Sequence, residues 1–338
     1  YGEKVQRRTG SSENMEAYSP KGDQEDVDYY GPGVVGKNKQ TFTVKFDTGS
    51  STFFVPGKNC PAAQCPSPNK YDESGTDLHN TTTVHYGSGT RSGENFIDTV
   101  SVAGVSVDQT QLVSLTSREG SAHVAPESLM GLSLASKNNK PNTFFEDAMA
   151  QKKVAANEFS FYLGRTKDGT ANQSEITIGG RDPSKFTGEP TLLPLHDAFH
   201  WNVALDGFAV NGKLIPNTVS VATIDTGTTY IVGPGNIVKA VYDQIPGAKG
   251  GLSGYYTYPC SAKPKVSLQM GGKQFELDNE DLALLKFGDS CTGSLVAGLF
   301  GNFIVGDTFL KSWYSIYSYD ADNGNPAVLL AKANQAGN

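Results

Sequence analysis

Two stretches of the chain carry the same pattern of apolar and polar positions. From Val27 to Phe46 the string VDYYGPGVVGKNKQTFTVKF reads as two strands joined by a Gly-rich turn. From His200 the string HWNVALDGFAVNGKLI turns at Asn211-Gly212, and a further strand follows around Val219 to Ile224. Helices are few. Thr143 and Glu146 form a capping box before Phe145, Ala148 and Met149, and after Pro234 one helical face collects Ile237, Val238, Val241, Tyr242 and Ile245. Both helices read as core-facing. Residues 1–26 are polar and lack a strand pattern, so they are expected to form a flexible arm, with Arg7-Arg8 as a candidate processing site.

A length of 338 residues exceeds one usual core and suggests two compact units, read here as 27–190 and 191–338. Gly 38, Pro 17, 10% aromatic and only 19% charged residues describe short strands joined by tight turns, a mostly β class. The net charge is −7 and the basic residues are scattered, which argues against nucleic acid as a partner. No apolar run reaches the ~18 residues of a membrane span and no signal peptide opens the chain. The numbering is therefore taken to begin after a signal, and a pro-segment, have been removed.

Four cysteines allow three pairings, of which Cys60–Cys65 with Cys260–Cys291 is the simplest. Two sequons, at Asn80 and Asn172, lie in polar stretches and tilt the reading toward secretion as a glycoprotein. The histidines, His79, His85, His123, His196 and His200, have no zinc-ligand spacing, and the Asp320–Asn325 stretch resembles a calcium loop but has Ala331 where the twelfth-position acid belongs. No metal and no cofactor is expected. The glycines of Gly87 to Gly93 resemble a nucleotide loop, yet a strand pattern follows them, so a hairpin tip is the reading.

The sharpest signal is a repeated Asp-Thr-Gly, at Asp47 and again at Asp225, 178 residues on (225 minus 47). Each copy follows a strand, and each half later has two apolar residues and a glycine: Leu129-Met130-Gly131 and Ile304-Val305-Gly306. The glycines follow their aspartates by 84 (131 minus 47) and 81 (306 minus 225) residues, which indicates duplication. Two such loops meeting at a pseudo-twofold axis would bring two carboxylates together, one holding a proton while the other stays charged. That state suits hydrolysis: the charged partner takes a proton from a water, and the protonated one hydrogen-bonds the attacked carbonyl. Gly49 and Gly227 let backbone approach, Ser50 and Thr228 can hydrogen-bond the carboxylates from outside, and Thr48 and Thr226 can brace the loops across the axis.

On Asp47-Thr48-Gly49-Ser50-Ser51, Asp225-Thr226-Gly227-Thr228-Thr229, Tyr86-Gly87-Ser88-Gly89 with Asp98-Thr99-Val100, and Ile304-Val305-Gly306-Asp307, the sequence resembles the pepsin-like aspartic proteases, most in the style of secreted fungal members, from Val27 to Ala333. The resemblance implies a bilobal β fold with a cleft between the lobes, Asp47 and Asp225 as catalytic residues, and a flap bearing Tyr86. It implies substrate contacts at Tyr86, Gly87, Ser88, Leu129 and Thr229, with His200 near the cleft. It also implies a monomer acting on polypeptide substrates, open to statine-type inhibitors, and both cysteine pairs fall where this family often has disulfides. One departure stands out: the family commonly has tryptophan where this chain has Phe54, and loses with it an N–H that can reach the flap tyrosine. Two rival functions differ in testable ways. A protease-like binding protein predicts loss of an aspartate or of Tyr86, and all are present. A carboxylate glycosidase predicts acids on unlike segments instead of a duplicated motif.

Overall fold

The computed structural model describes residues 10–18, 26–87, 89–120, 128–135 and 140–335, and strands dominate it. Asp28–Val35 and Gln40–Asp47 form an antiparallel hairpin, as the alternation of buried Phe42, Val44 and Phe46 requires. Gln40–Asp47 then lies parallel to Ser128–Gly131, and Phe53–Pro56 runs antiparallel to that same strand. The second half repeats this arrangement. Ser220–Ile224 is parallel to Phe303–Val305, and Ile231–Pro234 is antiparallel to it.

The repeated glycines have a steric cause. A Cβ on Gly131 would stand 2.5 Å from the Ser51 carbonyl carbon, and one on Gly306 would stand 1.9 Å from the Thr228 oxygen. Each apolar-apolar-Gly strand thus passes directly against one Asp-Thr-Gly loop. The result is two β-rich lobes of matching topology with the cleft between them.

One long sheet joins the halves, with Phe186–Pro194, Asn325–Ala333, Trp313–Asp322, Glu158–Tyr162, Ser174–Ile178 and Ser11–Tyr18 side by side. Ser11–Tyr18 departs from the expected arm without strand structure. It pairs with Ser174–Ile178 and then with Asp28–Tyr30, although Met15 is its one fully buried side chain. Backbone pairing rather than apolar alternation defines it. Arg7-Arg8 lies outside the described residues.

Beneath the cleft, Phe159 stacks on Tyr317 at 5.1 Å and Trp201 meets Tyr317 edge-on at 5.3 Å. Each such ring contributes about 1.5–3 kcal/mol by burial, and each favourable pair about 0.5–1.5 more. A buried ion cluster also spans the chain: Arg165 Nη2 lies 2.6 Å from Asp281, and Lys311 Nζ 3.2 Å from it.

The local elements follow their signals. The helix Phe144–Ala150 has both capping-box bonds of Thr143 and Glu146, and Gly235–Tyr242 buries Ile237, Val238, Val241 and Tyr242. Asn211 and Gly212, both at positive φ, turn a hairpin between Gly207–Val210 and Lys213–Leu214. Asn323 and Gly324 do the same within the segment that resembled a calcium loop. Cys60–Cys65 and Cys260–Cys291 are both disulfides.

Candidate active site

The strands ending at Phe46 and Ile224 deliver Asp47 and Asp225 to the interior, where they are 5% and 7% exposed. A carboxylate so buried must be hydrogen-bonded, and each is. The Gly49 N–H donates to Asp47 Oδ1 at 2.9 Å and the Ser50 hydroxyl donates to Oδ2. The Gly227 N–H donates to Asp225 Oδ1 at 2.7 Å, and Thr228 Oγ1 donates to Oδ2 at 2.7 Å. The two sets are related by a local twofold.

The threonines cross it. The Thr48 N–H donates to Thr226 Oγ1 (3.1 Å) and the Thr226 N–H to Thr48 Oγ1 (3.0 Å). Each hydroxyl then donates to a carbonyl of the opposite strand, Ile224 (2.8 Å) or Phe46 (2.7 Å). Four buried groups are satisfied by two side chains, so the loops are fixed relative to one another.

A Cβ on Gly49 would fall 2.5 Å from the Asp225 carboxyl, and one on Gly227 would fall 2.1 Å from Asp47 Oδ1. Glycine is therefore required at both positions, and each carboxyl lies against the other's loop. Burial first, and then the neighbouring Asp47 charge, push the Asp225 pKa up to about 7. The pair accordingly holds a proton through the acid range.

This arrangement has known counterparts. The sequence profile of the family described as eukaryotic aspartyl protease matches residues 28–333. An aspartic protease of Phaffia rhodozyma is 35% identical over 89% of this chain and 75% of its own length. Cathepsin D of Dictyostelium discoideum is 32% identical over 94% and 86%, and vacuolar protease A of Aspergillus fumigatus 32% over 90% and 79%. The chain belongs to the eukaryotic aspartyl protease family. It is a pepsin-like aspartic endopeptidase.

In this protease the strands Thr76–Tyr86 and Gly89–Val102 form a hairpin in which Tyr86 pairs with Gly89 and Gly87 is exposed; Ser88 lies outside the described residues. The Tyr86 ring meets the fully buried Phe54 edge-on at 6.3 Å. Its buried hydroxyl has no hydrogen bond of normal geometry, although the Ser50 hydroxyl lies near enough to favour the phenolate slightly. Burial, and then Asp47, raise the Tyr86 pKa to about 12. A space of about 450 Å³ opens between Ser51–Phe53 and the hairpin residues Thr82–His85.

The remaining sequence candidates have the following surroundings. Leu129 is buried in the strand beside Asp47, in register with Lys45. The Thr229 hydroxyl donates to the Val27 carbonyl at 2.5 Å, so it braces the N-terminal strand. His200 Nδ1 lies 3.0 Å from Ser133 Oγ, and burial, followed by Lys140, lowers its pKa. Asn80 and Asn172 are both exposed.

Two polar groups were given no role in the sequence, although Asp307 closes the Ile304-Val305-Gly306-Asp307 motif. Asp307 is fully buried, neither of its oxygens has a hydrogen-bond partner among the described residues, and burial drives its pKa well above the carboxylate range. Arg91 sits behind the Tyr86 ring. An arginine at a period-two position of the flap strand was the available signal for the second.

Proposed function

We propose that the protease cleaves extended polypeptides at acidic pH, with Asp47 and Asp225 as the catalytic pair. Asp47, ionised, takes a proton from a water held between the carboxyls as the water oxygen bonds to the scissile carbonyl carbon. Asp225, protonated, donates to the carbonyl oxygen as charge develops there. The observation that carries this reading is the face-to-face burial of the two carboxyls, with Asp225 holding its proton up to about pH 7. Tyr86 and Leu129 line an apolar first pocket, with Gly87 contacting substrate from the exposed hairpin tip, so cleavage favours large apolar or aromatic residues beside the scissile bond. The two disulfides and the exposed Asn80 and Asn172 support passage through the secretory route and an extracellular site of action for a monomeric enzyme.

Digestion of an unfolded protein mixture from about pH 3 to about pH 7, with and without a statine-type inhibitor, tests this. Inhibitor-sensitive cuts beside apolar residues, fading toward neutral pH, are expected. Cuts dominated by charged residues, or activity peaking at neutral pH, would reject it. A binding protein on the same fold would give no cuts at any pH.

A further inference from the structure

The flap strand Gly89–Val102 holds Arg91 in register with Val84 on one side and Arg118 on the other. Its guanidinium carbon lies 5.7 Å from the Tyr86 ring centroid and 5.9 Å from that of Phe54. These rings already meet edge-on, so the cation is the third member of a cluster packed against the Cys60–Cys65 disulfide, Val113 and Leu115. The Tyr86 hydroxyl has no hydrogen bond of normal geometry among the described residues, with the Ser50 hydroxyl only nearby, so contacts of the ring are a substantial part of what holds this side chain. A cation over an aromatic face is attracted by the ring quadrupole, and more strongly when removed from water. Burial, and then Arg118, lower the Arg91 pKa to about 10, so the guanidinium is charged throughout the acid range.

We propose that Arg91 is a positioning residue for the reaction, gripping the Tyr86 ring beside the Asp47 carboxyl by a cation–π contact. The inference rests on reading Asp47 and Asp225 as the catalytic pair. It predicts that Tyr86 tolerates loss of its hydroxyl but not of its ring, and that the effect of Arg91 on turnover depends on that ring.

The test is a double-mutant cycle on the purified enzyme. Arg91→Met and Arg91→Lys are measured in the wild-type and Tyr86→Ala backgrounds, with tyrosine-ring NMR in which Tyr86→Phe assigns the resonance. Arg91→Met should lower kcat/KM about 3- to 30-fold, Arg91→Lys less, and Arg91→Met should change the Tyr86→Ala enzyme less than about twofold. The Tyr86 ring resonance should shift and report faster flipping. A loss below about threefold in the wild type, or one of that size or more in the Tyr86→Ala background, would overturn the proposal. If Arg91→Met does not fold, Arg91→Lys carries the same cycle. If Asp47→Asn keeps its activity, the catalytic reading falls on its own, and an unchanged Tyr86 resonance in Arg91→Met then decides against this one separately.

Discussion

On the proposed mechanism Asp225 sets how the site responds to acid, because burial and the adjacent Asp47 both oppose its ionisation. Below about pH 7 it keeps the proton that the reaction needs, and turnover should fall as pH rises through that value. Asp47→Asn and Asp225→Asn each replace a group that takes or gives a proton with an amide that does neither. Each should lose several powers of ten in kcat with circular dichroism unchanged, and more than about a tenth of wild-type turnover in either would remove the pair from the mechanism. Tyr86→Phe keeps the ring that Phe54 and Arg91 contact and should change kcat/KM less than about threefold, whereas Tyr86→Ala should cost far more. A tenfold loss in Tyr86→Phe would mean that the hydroxyl has a working partner. The carboxylates were legible in the sequence because their motif is contiguous and repeated. Asp307 and Arg91 were not, since their importance depends on what other strands bring against them: Lys45 near one, Phe54 and Tyr86 around the other.

The two Asp-Thr-Gly loops behave as one element because Thr48 and Thr226 bond across the axis. Thr48→Val keeps the shape but leaves the Thr226 N–H and the Ile224 carbonyl without their partner. Each unmet buried group costs about 1–3 kcal/mol, so the variant should melt at least roughly 3 °C lower, while Thr48→Ser, which keeps the hydroxyl, should stay near wild type. Equal melting of Thr48→Val and wild type would show the brace to be idle. Hairpins and helices of this size were legible because their signals are local: Asn211-Gly212 sets a turn and Thr143 with Glu146 sets a cap. Ser11–Tyr18 was not, because its partner Ser174–Ile178 lies far along the chain and only Met15 marks a buried face.

For the molecule as a whole, stability should decline as the medium approaches neutrality. Asp225 and Asp307 keep protons in the folded chain that the unfolded chain releases near pH 4. Their stabilising effect is therefore complete below about pH 4 and drains away as pH rises above it, for Asp225 through about 7. Asp281 works in the opposite sense: burial opposes its charge, but Lys311 and Arg165 outweigh that and hold its pKa down, so its contribution is lost only as the medium becomes more acidic. Between about pH 4 and 7 Asp225, Asp307 and the half-buried Asp147, all raised by burial, act in the same direction, and His200, lowered by burial, acts against them. The urea midpoint should fall across that window and fall less in Asp307→Asn; a midpoint that rises would contradict the assignment. The long sheet that joins the halves also sets an order of events during synthesis. Glu158–Tyr162 leaves the ribosome with one edge open, and the strand that covers it, Trp313–Asp322, emerges about 150 residues later. The nascent chain must therefore keep an adhesive edge apart from other chains until about 150 further residues have been made. Crowded synthesis thus adds an aggregation risk that the finished sheet, with this edge covered, does not carry.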